Sequence, residues 1–233
     1  MTDESNVSID DMTKIIRGEQ MEIPEELPIL DFDNFVLFPF MIAPLVITNE
    51  HHKQIIDEAI AGNRPVGVFL SDEQAGGTPR LEKTGCAAMI LKMLKIPDGT
   101  LRILIHGLKR IHVTEIRLTA PWLKAAIRTV EEITPVNITI EALMHQTREM
   151  LQRAITMSNL PEELGVAAHN MTEPGKLADL VATNLRLKIQ EQQAILDTTN
   201  CQERLERVLA ILAREVEILE MGDRIRSKVK SQV

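Results

Sequence analysis

Two apolar runs of strand length, Ala87–Ile96 and Leu101–His106, flank the cluster Pro97-Asp98-Gly99-Thr100. Proline presets φ at the first corner of a turn and glycine supplies a positive φ, so this stretch reads as a β-hairpin. The first run is apolar at nearly every position rather than at alternate ones. A strand of that kind is covered on both faces, which places the hairpin inside a sheet or small barrel and makes the first half of the chain wrap around it.

Structure is expected from Leu27 onward. Leu27–Leu30 and the run Asn34–Ile47 read as short strands, the second broken at Pro39 and Pro44, because proline cannot donate to a ladder and belongs at edges, bends or loops. Thr48 or Asn49 caps a helix from about Glu50 to Ala61, with Ile55, Ile56, Ala59 and Ile60 on its apolar side and Gly62-Asn63 as the stop. Pro65–Leu70 returns to strand, and Ser71–Thr84 reads as an exposed loop. After the hairpin Gly107 interrupts, Lys109–Ile116 alternates as a strand, and Trp122–Val130 adds another. Many short strands with one inserted helix favour a closed or nearly closed barrel over a parallel sheet.

Past Thr134-Pro135 the spacing becomes helical. Expected helices cover Thr139–Met157, a segment opening at Ser158–Glu163, a segment opening at Thr172-Glu173-Pro174, and Lys188–Leu196. The last begins at a capping box of Asn200 and Glu203 and runs to the end of the chain. Leu205, Leu209, Leu212, Val216 and Leu219 repeat along it as a coiled-coil-like seam, a candidate oligomer or linker helix. Ile218, Ile225 and Val229 offer a shifted seam beyond. The fold class is therefore α+β, with a mobile acidic tail over 1–24, a β-rich lobe over 25–133 and a helical lobe over 136–233.

Charge is distributed in blocks. Residues 1–26 carry −6, whereas 83–128 hold nine bases against Asp98 and Glu115, and the whole chain is −8. The basic block admits nucleic-acid binding as an alternative, but the acidic total and the single Trp122 argue against it. Only Cys86 and Cys201 are present, which suggests neither a disulfide framework nor a zinc site and is consistent with a reducing cytoplasm. No apolar run approaches the ~20 residues that span a bilayer.

Several segments, taken in order, resemble the N-terminal domain of the Lon family of ATP-dependent proteases: Leu27-Pro28-Ile29-Leu30, Val36-Leu37-Phe38-Pro39 with Pro44-Leu45, and Leu94–Thr100 with Gly107-Leu108-Lys109-Arg110. Pro174–Asp179, Lys188–Gln193 and Arg204–Leu209 continue it, so the resemblance covers about 25–230. It implies a PUA-like pseudo-barrel joined to helices, a region that binds unfolded or damaged protein substrates and helps to assemble a homo-oligomer, a hexamer in the family. The family carries an arginine near Phe32 or Asp33 that this chain lacks.

The resemblance implies no catalytic residue here, and no cofactor in this chain. ATP and magnesium are implied only for a fused or partner ATPase. The residues agree: no Gly-Lys-Ser or Gly-Lys-Thr loop is present, Gly175-Lys176 being followed by Leu177, and Ser71 has no recognisable catalytic context. Adjacent His51 and His52 lack a third metal ligand at suitable spacing. Asp31, Asp33, Glu162 and Glu163 are explained by turns and helix starts. The candidate peptide-binding surface is Phe35, Phe38, Phe40, Met41, Met89 and Met93, in particular whichever of them alternate outward from a strand. The alternative to a protease module is a free-standing regulatory relative.

Overall fold

A computed structural model describes residues 4–6, 21–72 and 79–231. It separates into two compact units, Met1–Val130 and Glu131–Val233. Residues 7–20 of the expected acidic tail lie outside the described residues, as do 73–78 of the expected loop. Of the expected acidic tail, Glu4–Asn6 forms strand β1.

The first unit continues with β2 (Glu26–Phe32), β3 (Ile42–Ile47), α1 (Glu50–Gly62), β4 (Val66–Asp72), β5 (Arg80–Leu81), β6 (Thr84–Lys95), β7 (Leu101–Leu118) and β8 (Lys124–Thr129). β6 and β7 are the arms of the hairpin. At the bend, Gly99 takes φ +89°, and the Asp98 carboxylate accepts from the amide and hydroxyl of Thr100. The hairpin closes a ring. β6 pairs with both β4 and β7, β4 pairs in parallel with β2, β2 pairs with β8, and β8 returns to β7. β3 lies outside this ring, on β7.

Burial follows from closure. β6 is buried on both faces through Leu91. One face contributes Cys86, Ala88 and Ile90 to a cluster with Ile55, Ile56 and Ala59 of α1. The other contributes Ala87 to a cluster with Ile29, Phe69, Ile111 and Ala125. α1 is seated by Asn49, whose side chain accepts from the amides of His51 and His52, and it stops at Asn63 in the left-handed region.

Two expectations about breaks are corrected. β7 runs unbroken through Gly107. The glycine is required because a Cβ there would lie 2.1 Å from the Phe38 carbonyl oxygen. Pro44 lies within β3 rather than ending it. The amide of Gly107 donates to the Met41 carbonyl; counting alternately from there, Ala43, Leu45 and Ile47 direct their backbone groups at β7, and Ile42, Pro44 and Val46 direct theirs away. Proline therefore costs this ladder nothing.

The second unit comprises α2 (Ile138–Met157), α3 (Glu162–Asn170), α4 (Pro174–Asn184), α5 (Ile189–Asp197) and α6 (Cys201–Ser231). Asn137 caps α2, and the Asn200 carboxamide oxygen accepts from the amides of Gln202 and Glu203 at the head of α6. α6 packs on α2 and α4. Leu205, Leu212 and Val216 are buried and Leu209 and Leu219 are partly buried. The leucine seam therefore supplies the core stripe of this unit as far as Val216, with Leu209 and Leu219 only partly covered. Beyond it, Ile218, Met221, Ile225 and Val229 are exposed.

Candidate functional site

The chain reaches β3 through a tight crossing. The Phe38 carbonyl fits against Gly107, and the Phe40 amide donates to the Gly107 carbonyl at 2.8 Å. Phe40 takes φ +64°, a conformation uncommon for a bulky residue and held here by its surroundings. The crossing turns Phe38 inward, where it is buried, and Phe40 outward, where it is 52% exposed.

β3 extends that outward direction. Ala43 and Ile47 enter the core with α1, and Leu45 packs against it. Ile42 and Val46 on the other face are 49% and 63% exposed, and Pro44 between them is exposed. Phe40, just before β3, with Ile42, Pro44 and Val46 thus makes one exposed apolar row of four alternate residues spanning seven positions of the chain. Among the described residues no strand pairs with the outer edge of β3. The row continues inward onto β7, where Ile42 faces His106, Pro44 faces Leu104 and Val46 faces Arg102. Leu104 in turn faces Lys92 of β6. Exposed Arg102 and Lys92 give the apolar row a cationic flank. His106, opposite Ile42, is buried, and among the described residues its Nδ1 has no hydrogen-bond partner; burial holds its pKa below the ordinary histidine value.

The six expected surface residues separate. Phe40 is on the row. Phe35 and Met41 are half-buried against the α1 cluster. Phe38, Met89 and Met93 are buried and form no surface. The two methionines lie on β6, Met89 in the stretch covered on both faces and Met93 in the cluster with α1, so neither is available at a surface. Ile42 and Val46 were not singled out because alternate β-branched residues in a strand read as core; the signal was Pro44 itself, which marks an edge.

Other clusters resolve structurally. His52 Nε2 lies 3.0 Å from Asp31 Oδ1, and the Ser71 hydroxyl donates to Asp31 Oδ2 at 3.3 Å. The carboxylate stands between the other two, so histidine has no contact that would take the serine proton, and the arrangement is a tie joining α1, β2 and β4 rather than a nucleophile. Burial pushes the Asp31 pKa up, but the hydrogen bond and charge of His52 outweigh it and leave the carboxyl below its ordinary value.

In the helical unit, Arg204 is fully buried, donating from Nη2 to Glu132 Oε1 at 2.9 Å and from Nε to the Thr198 carbonyl at 2.8 Å, with Nη1 3.5 Å from Asp179 Oδ2. Gly175 packs against this group: a Cβ there would lie 2.8 Å from Cys201 Sγ and 3.1 Å from Arg204 Nη1. Gly175-Lys176 is thus a packing position, with Lys176 paired to Glu173. The unit also bears a groove of about 930 Å³ between α2 and α6, floored by Met150, Met157, Leu209 and Ala213 and rimmed by Glu149 and Arg153.

At least five of the nine bases in the basic block are buried or engaged by neighbouring side chains. Arg110 is buried, Lys95, Arg117 and Lys124 pair with Asp57, Glu115 and Glu26, and Arg128 Nη2 contacts His112. Among the described residues no cluster of three or more metal-ligating side chains occurs, and no helix is long and apolar enough to cross a membrane.

Comparison with known proteins gives this arrangement a family. The family model of the ATP-dependent protease La (LON) substrate-binding domain matches residues 26–214. The chain is 39% identical over 215 residues to a Lon protease of Roseiflexus castenholzii, covering 91% of this chain and 27% of that protein. It is 36% identical over 219 residues to a Lon protease of Dictyoglomus thermophilum, covering 93% and 28%. The chain thus spans little more than a quarter of the length of these relatives. The fold is similar to the N-terminal domain of a Mycobacterium avium complex Lon protease, with TM-score 0.68 at 22% identity over 81% of this chain and 98% of that one. A Lon N-terminal domain protein from Xanthomonas campestris superposes with TM-score 0.57 at 18% identity, over 79% and 97%. Matching that family model over most of its length, the chain belongs to the family of Lon substrate-binding domains.

Proposed function

We propose that this chain captures exposed apolar segments of unfolded or damaged proteins for a Lon-type protease of the cytoplasm, and that the row Phe40, Ile42, Pro44 and Val46 is where it holds them. The observation that carries the reading is this row: contiguous apolar side chains on a strand with an open edge, in a chain whose family is defined by substrate binding. Soluble proteins cover or charge such edges unless they use them. The chain binds and does not cut. ATP hydrolysis, with its magnesium, and proteolysis fall to other parts of the machine. The test is a pull-down with reduced, carboxymethylated casein. The 233-residue chain is expected to retain it above background and Val46→Glu to lose most of it; equal retention by both would move the site elsewhere.

The distal half of α6 supports a second role in assembly. Ile218, Met221, Ile225 and Val229 recur at three- and four-residue intervals on one exposed face. Light scattering after size exclusion tests it: Ile225→Asp is expected to lower the mass of the assembly, and a monomer before substitution would contradict it.

A further inference from the structure

The row is only half of what the edge of β3 offers; its backbone is the other half. Because Ile42, Pro44 and Val46 sit at the positions whose peptide groups turn away from β7, the outer edge presents the N–H and C=O of Ile42, the C=O of Pro44, and the N–H and C=O of Val46. Those five groups are arranged as one strand's half of a ladder, lacking a single rung where proline has no hydrogen. Exposed peptide groups on a flat strand are a template for another strand.

Building on the capture site assigned above, we propose that polypeptide is held by β-augmentation: a substrate segment adds as an extended strand along β3. Its own backbone supplies the hydrogen bonds, and its alternate apolar side chains lie beside Phe40, Ile42 and Val46. The occupant is thus a class rather than a sequence, an extended segment with apolar residues at every second position. Arg102 opposite Val46 and Lys92 beyond Leu104 favour carboxylates at its flanks. This fits quality control, because backbone bonds are the same for every unfolded chain and only the alternation is read. Pro44 then has a function of its own. By deleting one donor in the middle of the edge it keeps the ladder short, so that a captured segment can leave and a neighbouring copy's edge does not zip on.

The probe is a fluorescein-labelled decapeptide alternating valine with threonine and ending in glutamate at both termini, its binding to the full chain read by fluorescence anisotropy. N-methylation of single peptide nitrogens removes one donor and leaves every side chain. Augmentation is expected to give a two-residue rhythm, with binding weakened about tenfold at alternate positions and little changed between them. Pro44→Ala restores the missing donor while trimming apolar surface, so augmentation expects about fivefold tighter binding where side-chain capture alone expects weaker. A melting temperature for Pro44→Ala close to that of the unaltered chain establishes that the variant folds. N-methylation without rhythm, together with loss of binding in Val46→Glu, would overturn augmentation and leave the capture site standing. An unaffected Val46→Glu would overturn both.

Discussion

Replacing Arg204 by methionine is expected to melt the helical unit well before the rest of the chain. Methionine approximates the length of the arginine and none of its charge. In the folded protein the guanidinium is fully buried between Glu132 and Asp179 and also holds the Thr198 carbonyl. Removing one partner of a buried ion pair costs roughly 3–5 kcal/mol, because the other is left as an uncompensated buried charge. Asp179 is 4% exposed and must bear that cost; the Glu132 side chain is 36% exposed and can turn to water. The lower end, about 3 kcal/mol, is therefore the better figure. For a unit of this size each kcal/mol lowers the melting temperature by roughly 4–8 °C, giving a loss of about 12–24 °C. The assay is thermal melting followed by circular dichroism at 222 nm. Arg204→Met combined with Asp179→Leu is expected to recover most of the loss, since both ends of the pair are then apolar. A single-variant shift below about 3 °C, or a double variant less stable than the single, would refute the placement of this pair at the centre of the unit.

Other expectations follow from single contacts. Gly107→Ala should lower the melting temperature of the β unit by more than about 10 °C, because the added methyl meets the Phe38 carbonyl at 2.1 Å and that backbone has no rotamer to change. Asp31 has a folded pKa below its unfolded value near 3.8. The stability it contributes is therefore complete above that value and is lost as pH falls through the folded pKa; Asp31→Asn should flatten this part of an acid titration followed by fluorescence of Trp122. Ile42→Glu, at an exposed position, should leave thermal stability nearly unchanged while weakening casein retention, a separation that a core residue would not show.

The hairpin and its covering on both faces were legible because turn chemistry and continuous apolar runs are local signals. Most helix boundaries were legible for the same reason, through Asn49, Asn200 and Pro174. Gly107 was misread as an interruption because a sequence records the missing side chain and not what approaches the space; here it is the Phe38 carbonyl, nearly seventy residues away in the chain. Pro44 was misread as a break because its effect depends on which way its nitrogen points, and register alone settles that. Met89 and Met93 were placed on the surface against the stronger argument that most of their strand is internal. Leucine spacing in α6 identified a helix with an apolar stripe but could not say whether the stripe meets its own unit or another copy. The tie of Asp31 to His52 and Ser71 joins three separate elements and left no spacing to read.

Amide exchange at β3 tests the central claim most directly. With reduced, carboxymethylated casein bound, the amides of Ile42 and Val46, which face away from β7, should exchange more slowly, while those of Ala43 and Leu45, already paired, should change little. Casein binding that leaves Ile42 and Val46 exchanging as in the free chain, with protection appearing on another surface, would contradict it.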